Sequence, residues 1–235
     1  MILWAGTSNK DVGMVVEHYP SIILPRRKQE IQQVPGRNGD IILFQDAYEN
    51  YEQSYRVFLD AKSKGGIEKV IPKISDWLLG HSGYQRLEYS YFPDVYRMAY
   101  YTGGVEFVSF FNEYGEGVLT FNCAPEKYYK SGEKAITISK GQVITNPTLF
   151  PAKPIVTVKG SGAGTITFGS NSLTISNIGT SVTIDVKDHI AYNGSTNRNS
   201  TITGRYENMV LSGKTTITWS GGVTGMTMIP RWWTI

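Results

Sequence analysis

The sequence predicts a mainly β protein with one short helix, organised as a β domain carrying that helix over residues 1–146 and a β-sandwich over residues 147–235. Three observations lead there. The 235 residues include 15 Tyr, 9 Phe and 5 Trp with 25 Gly and 10 Pro, a composition of sheets and tight turns rather than of helix bundles. The stretch Gly83–Gly103 holds two alternating runs, Leu87, Tyr89, Tyr91 and Tyr96, Met98, Tyr100, each placing one side chain in two on a common face. Finally, charge thins out along the chain: residues 1–146 carry 16 Lys+Arg against 17 Asp+Glu, and residues 147–235 carry 7 against 3.

In chain order, the runs Met1–Ala5, Met14–Val16 and Ser21–Leu24 read as short strands, the last closed by Pro25. Gln29–Val34 and Ile41–Phe44 form a hairpin, because the loop between them holds both a Pro-Gly and an Asn-Gly turn signal. Tyr51, Tyr55, Val57 and Leu59 alternate with polar residues, a strand exposed on one face. After the polar turn Lys62–Gly66, Ile67–Leu79 is the helix: Ile74, Trp77 and Leu78 recur at helical spacing, and Pro72 is expected in its first turn, where a missing N–H is harmless.

The helix delivers the chain into the aromatic stretch, which Phe92-Pro93-Asp94 bends. Val105–Phe111 and Val118–Cys123 follow as strands, with Phe107, Phe111, Leu119, Phe121 and Cys123 as expected core and Ala124-Pro125 as the stop. Pro147, Pro151 and Pro154 suggest a semi-rigid connector just past a domain boundary at Asn146-Pro147. Beyond it, short Thr- and Val-rich runs recur about every 8 to 12 residues as in a sandwich. His189–Asn208 reads as a long irregular loop.

Little in the chain asks for catalysis. His18, His81 and His189 stand alone without metal-ligand spacing, and Asp185 and Asp188 read as a solvated turn. Cys123, the single cysteine, reads as a packed strand thiol in a protein made in a reducing compartment. The start MILWAGTSNKD lacks a basic, apolar signal pattern and no run approaches 18 apolar residues, so neither export nor membrane insertion is expected. A net charge of +3, with no basic run longer than Arg26-Arg27-Lys28, speaks against a dedicated DNA binder. Trp232 and Trp233 follow Pro230-Arg231 in the last strand and are expected to pack, Trp232 against one face and Trp233 against the other or the partner domain, rather than to form a sugar platform.

The ordered set WLLG, GYQRLEY, FPDVYRMAYY, FNCAPEKYY, TNPTLFPAKPIVTVKGSG and PRWWTI resembles the distal tail proteins of long, non-contractile-tailed bacteriophages and their prophages. That resemblance implies a galectin-like or carbohydrate-module-like sandwich in the second half. It implies a hexameric ring of N-terminal domains, alone or stacked, around a channel that lets DNA pass. The implied partners are the tail tube protein, a tail-associated adhesion protein and other baseplate or receptor-binding proteins, in a virion at the distal end of the tail. A non-enzymatic role without cofactor or metal follows. Trp77, Leu87, Tyr89, Pro93, Phe121, Arg231, Trp232 and Trp233 are the expected structural anchors. The competing reading is a carbohydrate-binding receptor-recognition module acting through the sandwich.

Overall fold

The computed structural model describes residues 1–235, Ser109 and Phe110 by their backbone only. The chain divides into two compact units, Met1–Lys127 with Ile235, and Tyr128–Thr234. The first contains β1 (Ile2–Trp4), β2 (Thr7–Ser8), β3 (Met14–Val16), β4 (Arg27–Gln32), β5 (Ile41–Tyr48), β6 (Tyr51–Asp60), α1 (Ile67–Leu79), β7 (Gln85–Tyr89), β8 (Val95–Tyr101), β9 (Val108–Phe110) and β10 (Tyr114–Tyr129). Its main sheet runs β2-β1-β7-β8-β10-β6-β3, with β9 also on β10. Strands β4 and β5 stand outside it as a separate two-stranded ribbon.

Alternation decides which face of this sheet is core. Tyr51, Gln53, Tyr55, Val57 and Leu59 of β6 are buried while the residues between them face outward. Leu119, Phe121 and Cys123 of β10 share that inward face, opposite Tyr55, Gln53 and Tyr51 in the antiparallel register. Helix α1 closes the core with Val70, Ile74, Trp77 and Leu78, an i, i+4, i+7, i+8 stripe. A buried Asn9 pins the first turn: its Oδ1 accepts the Ile2 N–H at 2.7 Å, and its Nδ2 donates to the Met14 carbonyl at 2.7 Å.

Several expectations need correction here. Helix α1 starts at Ile67, so Pro72 is its sixth residue rather than part of its first turn. The missing N–H forfeits one bond to the Glu68 carbonyl, a cost that burial of four apolar side chains outweighs. Phe111 is not core: it is 94% exposed in a left-handed turn with φ 52°, because the chain must reverse between β9 and β10. Ala124-Pro125 does stop the ladder with β6, whose last pair is Cys123 with Tyr51, but the strand β10 itself runs on to Tyr129. Ser21–Leu24 is not a strand. In β8 Tyr96, Met98 and Tyr100 share a face as expected, but it is Arg97 and Ala99 that are buried, because the β7 register sets Leu87 opposite Arg97.

The second unit contains β11 (Ile136–Ile138), β12 (Gln142–Thr145), β13 (Ile155–Phe168), β14 (Asn171–Ile175), β15 (Ser181–Asp185), β16 (Ile190–Asn193), β17 (Thr196–Asn197), β18 (Ile202–Thr203), β19 (Lys214–Ile229) and β20 (Trp233–Thr234). The path β11-β19-β13-β15-β16-β17 is extended by β12 on β19, and by β14 on β13 with β18 beyond it. Two long strands, β13 and β19, form the spine, and their register slips between Lys159 and Gly164. Glycine is required there, since a Cβ on Gly222 would sit 1.7 Å from the Ser161 carbonyl oxygen. The expected loop His189–Asn208 instead carries β16, β17 and β18.

The units part at Lys127/Tyr128, earlier than the expected Asn146-Pro147. Strands β11 and β12 both pair with β19, so the stretch between the two positions belongs to the second sheet. Asn146 is a buried fastener of that unit, its Nδ2 donating to the Phe150 and Leu211 carbonyls at 2.8 Å each. The Pro-rich segment is likewise no free connector, since Ala152 bridges Leu211 and the Val186 N–H bonds the Pro154 carbonyl.

Candidate assembly surfaces

The most conspicuous exposed feature is the β4–β5 ribbon. Its register sets Gln29 opposite Phe44 and Ile31 opposite Ile42, so Ile31, Ile42 and Phe44 share one face. All three are exposed, at 54%, 47% and 59%, and so are Leu43 and Val34. An apolar ribbon left in water is a standing cost, and such patches mark interaction surfaces. Its loop closes with the Arg37 N–H on the Val34 carbonyl, with Gly36 and Gly39 both at φ 80°. Its root carries exposed Arg26, Arg27 and Lys28, the Arg27 guanidinium lying 5.4 Å from the Tyr48 ring centroid.

Elsewhere on the same unit two concavities meet at Gly104. One, of about 390 Å³, runs along α1 and is apolar: Ile71, Leu78, Leu79, Val105 and Phe107 line it. The other, of about 420 Å³, is lined by Glu17, Glu106 and Glu116 with Arg56, Val108 and Val118.

Beneath these surfaces lies an aromatic layer. Phe121 has its ring centroid 4.9 Å from Trp4, 5.6 Å from Tyr101 and 6.1 Å from Tyr55. Trp77 is buried and donates its indole N–H to the Trp4 carbonyl at 3.2 Å. Leu87 is fully buried, and Tyr89 is buried with its ring 5.2 Å from Tyr55. Pro93, in contrast, is exposed in the β7–β8 turn, where the Val95 N–H bonds the Phe92 carbonyl; it shapes a bend and buries nothing.

The sequence gives no sign that Arg97 would be buried in this layer, where its guanidinium lies 5.9 Å from the Phe92 ring centroid. Burial pushes the Tyr51 hydroxyl and the Cys123 thiol up to about 12 each, against the opposing pull of the Arg97 charge. Cys123 is therefore a neutral packed thiol. Native protein at pH 8 is expected to react with a maleimide at least about 100-fold more slowly than protein in denaturant. Equal rates, followed by mass spectrometry, would show that the thiol is reachable.

In the second unit the C-terminal residues are anchored from several sides. Arg231, at φ 58°, places its fork on Asp185 with two 2.7 Å bonds. Asp185 is buried and also accepts the Lys187 and Asp188 N–H groups, which overturns its reading as a solvated turn. Burial alone would raise the Asp185 carboxyl, but the Arg231 fork and the two backbone N–H groups outweigh it and hold the carboxyl below its ordinary value. Trp232 is buried, its carbonyl accepting the Tyr129 N–H. Trp233 packs against Phe150 with ring centroids 4.7 Å apart and planes tilted by 37°, and donates its indole N–H to the Pro151 carbonyl. Both indoles are engaged inside this unit, so neither is an open platform for a sugar ring.

The three histidines do not converge. His81 meets Trp4 edge-on and the His18 carbonyl faces the Tyr89 hydroxyl, while His189 stacks on Tyr206 in the other unit. Among the described residues no group of three His, Cys, Asp or Glu could hold a metal ion, and no helix is long and apolar enough to cross a membrane.

Residues 15–123 match the family of the phage tail protein RIFT-related domain. The tail-domain match spans β3 through β10 to Cys123 and so includes the ribbon, α1 and both concavities. Over its whole length the chain is similar in fold to the Dit protein of phage SPP1, a hub of the adsorption apparatus in phages infecting Gram-positive hosts. The TM-score is 0.78 at 12% identity, covering 100% of this chain and 98% of that one. It is also similar to the phage P2 baseplate in its activated conformation, with Ca at 10% identity and with Sr at 11%. Both give a TM-score of 0.51 and cover 92% of this chain and 89% of the other. Among curated proteins none matches the sequence. The resemblance to distal tail proteins read from the residues is thus borne out, as is the mainly β fold with one helix.

Proposed function

We propose that this chain is a structural hub of a phage tail tip, present in the virion at the distal end of the tail. Six copies form a ring, single or stacked, through the tail-domain unit. The ring joins the tail tube protein to the adhesion protein and other baseplate components and leaves a channel for DNA. The observation that carries this reading is the β4–β5 ribbon, whose apolar face finds no cover in its own unit while lying inside the matched tail domain. Identical subunits that each offer a projecting element and accept one make a heterologous contact, which closes into a ring when the rotation allows. Thirteen cationic against 16 anionic residues in Met1–Lys127 suit a channel that passes DNA without gripping its phosphates. Neither catalysis nor a cofactor is called for.

Light scattering tests it. The full chain is expected to run at about six times 26.2 kDa. A chain ending at Lys127 should keep that oligomeric state and one beginning at Tyr128 should be monomeric. A full chain that remains monomeric at tens of micromolar would refute the ring. An oligomeric second unit beside a monomeric first would reverse the two roles.

A further inference from the structure

Resting on the ring reading, we propose that the receiving surface for the ribbon is the pair of concavities meeting at Gly104 on the next copy of this chain. The apolar face of the ribbon lies along α1, and its basic root sits over the acidic hollow. The ribbon and the surface complement each other twice.

The first match is apolar. Ile31, Ile42 and Phe44 make a flat strip on one side of the ribbon, and the α1 groove offers Ile71, Leu79, Val105 and Phe107. Leu79 is 64% exposed although it ends a helix whose opposite face is tightly packed, so the groove, like the ribbon, lacks a cover in the isolated chain. Joining two such surfaces removes both from water, the dominant favourable contribution to association.

The second match is electrostatic. The hollow gathers three carboxylates, Glu17, Glu106 and Glu116, against the single guanidinium of Arg56. The ribbon root presents Arg26, Arg27 and Lys28 in one run. All six charges are exposed, and none is in an ion pair within its own copy among the described residues. Opposite charges at the rim of an apolar contact fix its register and reject like-charged alternatives. Because Gly104 lines both concavities, the apolar and acidic parts form one continuous surface, as a ribbon with an apolar strip and a basic root requires.

The donor and the acceptor lie on different copies, so charge reversal can be complemented between chains. One variant carries Glu17→Lys, Glu106→Lys and Glu116→Lys; the other carries Arg26→Glu, Arg27→Glu and Lys28→Glu. Each alone should weaken assembly at least about 100-fold and run as a monomer in light scattering. Circular dichroism and melting should match the wild type, because all six positions are exposed. Mixed in equal amounts, the two should re-form rings of alternating chains. Wild-type rings with variants that assemble equally well would overturn the proposed surface while leaving the ring intact. So would monomeric variants that fail to complement when mixed, which would show that the two charge clusters do not meet across the contact. A monomeric wild type would instead overturn the ring reading beneath the proposal.

Discussion

Trp77→Ala is expected to destabilise the first unit by about 3–5 kcal/mol and to lower its melting temperature by roughly 10 °C or more. Trp77 is the largest side chain that α1 sends into the core, where it packs with Val70, Ile74 and Leu78 against the sheet. Removing it leaves a void among the core residues of the first unit, with Trp4 of β1 held in the sheet beside it, so little of the volume can collapse. It also leaves the buried Trp4 carbonyl without its 3.2 Å indole donor. The helix then keeps the cost of Pro72 in its interior with less burial to offset it. Lys73→Ala, on the exposed side of the same helix, should move the melt by no more than about 0.5 kcal/mol. Melts of the two variants that coincide would show that α1 is held by something other than Trp77.

Asp185→Ala should cost the second unit about 3 kcal/mol at neutral pH. It strands the Arg231 guanidinium and leaves the Lys187 and Asp188 N–H groups without their acceptor. The carboxyl lies below its ordinary value of 3.8 in the folded chain, so its contribution is fully present above that pH and is lost as pH falls through the folded value. The gap in stability between wild type and variant, read by denaturant unfolding, should therefore be widest at pH 7 and narrow below about pH 3.8. A gap of the same size at pH 3 and pH 7 would mean that lost packing, not the ion pair, causes the effect.

These two positions also show how far the sequence could be read. Trp77 was legible because helical periodicity is local: the spacing of Ile74, Trp77 and Leu78 already specifies one buried stripe. Leu87, Tyr89, Phe121 and the inward residues of β6 were legible for the same reason, since strand alternation is set by chirality and pleat over a few residues. The turn chemistry of Pro35-Gly36 and Asn38-Gly39 gave the ribbon, and the ordered motifs gave the resemblance to distal tail proteins.

What depends on pairing between distant segments was not legible. The face of β8 that is buried follows from its register with β7; sequence alternation alone cannot tell inward from outward when Tyr96, Met98 and Tyr100 look more apolar than Arg97 and Ala99. The parting of the units at Lys127 follows from β11 and β12 adding to β19, about 70 to 90 residues further along the chain. Asp185 gained its role only because the fold returns Arg231 to it, a separation of 46 residues. Local sequence thus determined helix α1, the ribbon and the long alternating strands, because backbone sterics and side-chain period act over a few residues, whereas Ser21–Leu24 and the short strands within His189–Asn208 escaped it. Tertiary structure decided which faces are buried, where one unit ends and which charges meet, because those follow from non-local burial and hydrogen bonding that no short window contains.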